Sequence, residues 1–205
     1  MLITIKQGSA TSPRPDSSGG VIIGSLNNDC NAWGAGFVLA LDKLSAIPQA
    51  AYRALAKDHG GNIPLGTTQF VEIQKDLWVA NMIAQRGIKK SAGNDCLIDY
   101  EAFKRCLKTT FERAIQLTCN VHMPAGIGSG LAGGDKSKIH QIIKEMEDDD
   151  DMKALKDLSP FIQPQIVLWE FNDPNAASYI PPQKSTTNDS VLDDLISDVN
   201  SALGN

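Results

Sequence analysis

The sequence predicts an α/β/α layered domain built on a mixed sheet of about six strands. Two observations carry that expectation. Apolar runs of roughly four to eight residues alternate along the chain with longer amphipathic stretches, and this alternation places helices on both faces of a sheet. Near the middle, the apolar runs 68–73 and 77–83 are joined by a connection too short for a crossover, so that pair is antiparallel and the sheet is mixed.

Leu2 to Ile5 reads as a short edge strand. Residues 8–20, GSATSPRPDSSGG, form a polar loop rich in Gly, Ser and Pro. Val21-Ile22-Ile23 follows as a buried strand, then a loop, SLNNDCNAWGAG, and a helix starting near Gly36. Ile47 to Lys57 reads as a second helix, with Pro48 tolerated in its first turn and Gly60-Gly61 closing it. In the hairpin, Leu77 to Ile83 (LWVANMI) is apolar apart from Asn81, as expected of an interior strand covered on both faces.

Lys89 to Asp95 is a polar loop, and Asp99 can cap a helix from Tyr100 to about Leu117. Tyr100, Phe103, Leu107, Phe111, Ala114 and Ile115 give that helix one apolar stripe. Cys119 to Met123 reads as a strand ending at Pro124, followed by a glycine loop and a helix from about Lys136 to Met146 with Ile139, Ile142, Ile143 and Met146 inward. Gln165 to Phe171 is the last strand. The domain is expected to span 1–178. Residues 179–205 read as a linker and a short tail helix striped by Val191, Leu192, Leu195, Ile196, Val199 and Leu203. That stripe either docks on its own domain or meets a protein partner.

Composition narrows the function. The chain has 205 residues, 42% of them hydrophobic and 21% charged, with net charge −5. This is a globular balance, and the acidic charge with no basic run beyond Lys89-Lys90 argues against nucleic acid as a partner. The longest apolar or glycine stretch, Ala32 to Leu41, falls far short of the ~20 residues of a membrane helix. The N-terminus lacks the basic-then-apolar order of a signal peptide. Four cysteines without a CxxC pair are expected to be reduced thiols of a cytoplasmic protein. No cofactor or metal is expected: three scattered histidines make no His-rich site, and the run Glu147 to Asp151 reads as a solvated connection.

Two glycine loops stand out, Ser25 to Gly36 and Met123 to Gly134, each between a buried strand and a helix. In open α/β sheets ligands sit beyond the carboxyl ends of the strands. Glycine there lets backbone N–H groups approach a phosphate, and the following helix dipole favours the anion. Two such loops can clamp a diphosphate. A P-loop is excluded because Asp135 stands before Lys136-Ser137 where glycine is required. The run Gly126-Ile-Gly-Ser-Gly comes too late in the chain for an ordinary dinucleotide fingerprint.

Gly8-Ser9-Ala10-Thr11, the Asn27–Gly36 stretch, Leu77-Trp-Val-Ala-Asn-Met-Ile followed by Asp99-Tyr-Glu-Ala, and His122-Met-Pro-Ala-Gly-Ile-Gly-Ser-Gly-Leu-Ala-Gly-Gly-Asp135 together resemble the macro domain, an ADP-ribose-binding α/β/α module. The resemblance covers roughly residues 2–171. It is closest to the branch of the ADP-ribose-1''-phosphate phosphatase and the terminal ADP-ribose protein glycohydrolase. It implies that Ser9 and Ala10 meet the adenine end. It also implies that Asn28 lies near the distal ribose, that Asn27 is among the ligand-binding residues, and that Trp33, Gly34, Ala35, Gly36 and Phe37 wrap diphosphate and ribose. Gly126, Ile127, Gly128, Ser129, Gly130 and Leu131 would supply the opposing loop. Ser9 stands where the family has Asp, Ala125 replaces the usual Arg, and Lys136 the usual Trp. Met82-Ile-Ala-Gln85 has no counterpart of the glycohydrolase lysine, and Ala132 stands where that subgroup has its catalytic Asp.

The resemblance implies binding of ADP-ribose and hydrolysis of a derivative such as ADP-ribose-1''-phosphate. The alternatives are a reader or nucleotide sponge without turnover, and removal of ADP-ribose from protein or nucleic acid. Asn28 and Asp135 are the candidate catalytic residues. Asp135 can serve as a general base or cap the helix at Lys136, and Asn28 can orient a hydroxyl or water, or hold a local turn. His122 reads as a core histidine, and Cys30 as structural for want of an activating base in the sequence.

Overall fold

The computed structural model describes residues 3–12, 19–91, 93, 95–146, 148–150, 153, 154, 157 and 164–171. The expected tail helix and both ends of the acidic run lie outside them. The elements are β1 (Ile3–Gln7), β2 (Gly20–Asn28), α1 (Val38–Leu44), α2 (Ile47–Asp58), β3 (Thr68–Gln74), β4 (Leu77–Gln85), α3 (Tyr100–Leu117), β5 (Cys119–Pro124), α4 (Lys136–Glu145) and β6 (Ile166–Glu170). The strands form one sheet in the order β1-β6-β5-β2-β4-β3. Every neighbouring pair is parallel except β3 with β4, so the sheet is mixed as the hairpin required.

Strand alternation sorts side chains onto two faces. Ile22, Met82, Val121, Met123, Ile166 and Leu168 meet Phe103, Leu107 and Phe111 of α3 and Ile139 and Ile143 of α4 in the larger core cluster. Each such fully buried side chain contributes roughly 1.5–3 kcal/mol. On the other face Val21, Ile23, Leu77 and Val79 pack on Leu41 of α1, and Ile83 packs on Tyr52 and Ala56 of α2. The helices therefore cover both faces.

Asp99 caps α3, its carboxylate accepting from the Ala102 amide at 2.9 Å, and also pairs with Arg86 at 3.0 Å. That amide and the Arg86 guanidinium hold the Asp99 carboxyl below the usual carboxylate range. Gly60 and Gly61 end α2 with positive φ of 63° and 85°.

One boundary differs from expectation. Ser25 to Asn28, read as loop, continue β2, which pairs with β4 in register from Val21–Leu77 to Asn27–Ile83 and then bulges. Pairing on an interior strand outweighs the weak strand propensity of Ser and Asn. As a result Asn27 and Asn28 stand on the rigid end of a strand.

Candidate functional site

Because five of the six strands run parallel, their carboxyl ends share one edge of the sheet. Three connections rise from that edge: loop 1 (29–37) after β2, the β4–α3 connection (86–99), and loop 2 (125–135) after β5. The two glycine loops lie side by side. A Cβ on Gly36 would sit 3.9 Å from Cδ1 of Leu131, an exposed side chain at the tip of loop 2.

Loop 1 is organised by Asn28. Its Oδ1 accepts from the Cys30 amide at 3.1 Å, the Ala32 amide at 3.0 Å and the Tyr52 hydroxyl at 2.8 Å, while Nδ2 donates to the Ala32 carbonyl at 2.6 Å. The Tyr52 hydroxyl lies 2.8 Å from the Asn28 carbonyl as well. These bonds hold the turn of loop 1. Trp33 points back, donating from Nε1 to Asp42 at 2.8 Å and resting on the Tyr52 ring at 5.4 Å between centroids, and Phe37 packs into the cluster around Leu41. The side chains of Trp33 and Phe37 therefore brace the loop from behind.

Loop 2 is a chain of tight turns. The Ile127 amide donates to the Pro124 carbonyl, Ser129 to Gly126, Gly133 to Gly130 and Gly134 to Gly128, all within 2.9–3.1 Å. Ile127 buries its side chain in the core and uses its amide in the turn, and an apolar residue at that point seals the layer below. Ser129 turns its hydroxyl onto the Gly126 carbonyl at 2.9 Å.

Asp135 is the N-cap of α4. Oδ1 accepts from the Ser137 amide at 2.7 Å and the Lys138 amide at 3.2 Å, and the Asp135 amide donates to the Tyr100 hydroxyl at 2.9 Å. These bonds are those of the helix cap, one of the two roles open to Asp135. Asp135→Ala is expected to cost about 1 kcal/mol in chemical denaturation, and Asp135→Asn, itself a good cap, to restore most of it. Unchanged stability in both variants would favour the catalytic role of Asp135 over the cap.

Both loops keep groups with bonds to make. The amides of Gly34, Ala35 and Gly36 in loop 1 and of Gly128, Gly130 and Leu131 in loop 2 have no acceptor among the described residues. Beneath loop 1, Asn27 is 3% exposed, and neither its Oδ1 nor its Nδ2 has a hydrogen-bond partner among the described residues. A buried amide in that state costs about 1–3 kcal/mol, so a bound polar group or water is expected to satisfy it.

Toward β1 lies a recess of about 630 Å³ lined by Lys6, Gly8, Ser9, Ser12, His122 and Trp169. Trp169 Nε1 donates to His122 Nδ1 at 3.2 Å, and Lys6 Nζ lies 5.9 Å from the Trp169 ring centroid. A Cβ on Gly8 would meet that ring at 3.1 Å. Ser9 is tied into a local turn, its hydroxyl 2.9 Å from that of Thr11 and accepting from the Thr11 amide at 3.2 Å. Ala10 is buried. Tyr52 and Trp169 were missed by sequence reasoning. The signal for Trp169 was present, since it alternates with the inward Ile166 and Leu168 and must face the opposite side. Nothing local marked Tyr52.

Partial desolvation, with Asp29 nearby, pushes the thiol of the exposed Cys30 up, which opposes thiolate chemistry. Of the acidic run, Asp149 pairs with Lys108 at 3.5 Å, and the described residues hold no cluster of three or more metal-ligating side chains. Among them no helix is long and apolar enough to cross a membrane.

No protein-family model matches the chain, and no curated protein is similar to it. Solved structures are. A protein of unknown function from Bacteroides thetaiotaomicron is 36% identical, with TM-score 0.69, covering 83% of this chain and 98% of that one. A macrodomain protein from Streptomyces coelicolor is 33% identical, with TM-score 0.62, covering 82% and 97%. The Trypanosoma brucei macrodomain in complex with ADP-ribose, 10% identical with TM-score 0.54 over 85% and 65%, shares the fold.

Proposed function

The chain belongs to the macrodomain family, and from that membership we propose that the groove between loops 1 and 2 binds ADP-ribose. One observation carries the reading: two glycine-rich turns lie against each other at the strand ends, with amides of both lacking acceptors among the described residues. Backbone amides bind a diphosphate without a basic surface, so the net charge of −5 is no obstacle. The adenine is assigned to the Trp169 recess beside Ser9, where an aromatic wall suits a base. The distal ribose is assigned to the β4 side, with Asn27 available to it from below.

Two finer readings follow. The motif resemblance supports hydrolysis at the distal ribose, as in ADP-ribose-1''-phosphate phosphatases. The commitment of Asn28 and Asp135 to internal hydrogen bonds supports binding without turnover. Removal of ADP-ribose from a protein or nucleic acid is the remaining alternative, and no side chain in the groove favours it.

Calorimetric titration with ADP-ribose is expected to give saturable heat at micromolar to low millimolar ligand. Absence of heat at millimolar ligand would end the reading. Phosphate release from ADP-ribose-1''-phosphate then separates the finer two: multiple turnovers support the hydrolase, and tight binding without release supports the reader.

A further inference from the structure

The recess toward β1 adjoins loop 2 through the backbone. Ala125, which opens loop 2, donates its amide to the Trp169 carbonyl at 2.8 Å. Trp169 stands near the carboxyl end of β6 and His122 near that of β5. The two strands pair in parallel with His122 opposite Val167. His122 and Trp169 therefore project from the same face of the sheet, two positions apart in register. Both line the recess.

His122 is 2% exposed, and its ring lies 5.6 Å from that of Trp169 between centroids, tilted at 48°. An indole nitrogen can only donate, so the bond from Trp169 Nε1 requires a bare lone pair on His122 Nδ1. That bond holds the indole at its pyrrole edge. Gly8 lies against its benzene edge, where a Cβ would come within 3.1 Å of Cζ3. A ring fixed in this way on the wall of a recess is a preset surface for a flat ligand. Stacking is indifferent to the groups on a base's edge, because every base has a π face. The side chains around the ring do little to read that edge. Ser9 is tied to Thr11, Gln7 donates its amide nitrogen to Glu170 at 2.8 Å, and Lys6 is a donor alone. No carboxylate is among the described residues that line the recess, so the amino group of a base meets only neutral acceptors from them.

The geometry points to His122 as the positioning residue of a base platform, Trp169, that reads a flat ring and not the amino group of adenine. The ligand class is then a purine nucleoside diphosphate ribose, with hypoxanthine accepted as well as adenine. This rests on the proposed binding of ADP-ribose with its base in the recess. His122 acts through the indole, whose plane it sets.

The test compares the affinities of the full chain for ADP-ribose and for its hypoxanthine analogue by calorimetry. The wild-type protein is expected to bind the two within about threefold, as stacking alone would have it. Trp169→Leu is expected to weaken both by about tenfold or more. His122→Ala is expected to weaken both by about three- to tenfold, the scale of one hydrogen bond, and to shift the Nε1 proton of Trp169 in the NMR spectrum. His122→Asn, whose Oδ1 stands in for Nδ1, should restore most of the affinity and the proton's position. His122→Phe fills the same space without an acceptor, should behave as His122→Ala does, and serves in its place if the smaller side chain unfolds the domain. Thermal unfolding shows which variants are folded. A wild-type gap above threefold, or full affinity in folded Trp169→Leu, His122→Ala or His122→Phe, would overturn the inference while leaving ADP-ribose binding intact. No heat with either nucleotide would overturn both.

Discussion

Asn28→Ala is expected to lower stability by about 2–4 kcal/mol and to weaken ADP-ribose binding by tenfold or more. Asn28 is 8% exposed, and its carboxamide closes loop 1 through the amides of Cys30 and Ala32 and the carbonyl of Ala32. Alanine strands those groups, and a buried donor without an acceptor costs about 1–3 kcal/mol. The Tyr52 hydroxyl keeps only the Asn28 carbonyl. Once the turn relaxes, the amides of Gly34 to Gly36 lose their fixed direction, and binding falls although Asn28 itself need not touch the ligand. Asn28→Asp, which keeps the acceptor oxygen, should recover part of both losses. Denaturant unfolding and titration on the same samples decide the matter. Full stability and full affinity in Asn28→Ala, with turnover alone abolished, would instead support a catalytic role for this residue.

The second large effect is expected at Gly133. Its φ of +71° lies in the left-handed region, which costs a residue with a Cβ about 1–2 kcal/mol. The added atom would also overlap the backbone oxygen of Asp95, and relieving such overlap costs about 1–3 kcal/mol. Gly133→Ala should therefore lose about 3 kcal/mol, roughly 10 °C in thermal midpoint for a domain of this size. It should also lift the β4–α3 connection off loop 2. Gly34 is the control: nothing lies within 4 Å of a Cβ placed there, and its φ is not positive, so Gly34→Ala should stay within about 0.5 kcal/mol. Similar midpoints for the two variants would show that loop 2 has freedom that the packing around Gly133 denies.

The fold could be read with little help from long-range information. The stripe from Tyr100 to Ile115 lies on the sheet as its spacing demanded, and the short connection at Lys75-Asp76 did make an antiparallel pair. The misjudged boundary, at Ser25 to Asn28, fell where composition and pairing disagree. The site was legible as two loops but not as individual roles. Ile127 sits in a glycine motif and faces the core, and Asn28 sits at a motif position and faces Tyr52 from α2, 24 residues along the chain.

Periodicity, glycine placement and capping residues are local properties of the chain. They were enough to place the strands and helices along the chain and to bring two glycine-rich turns to one edge. Which amides of those turns remain open, and which carboxamide is engaged (Asn28) or lacks a partner among the described residues (Asn27), are set by contacts between residues far apart in the chain. A hydrogen bond extends about 3 Å and has direction, so its partner is chosen by packing, and no spacing along a strand or helix encodes that choice.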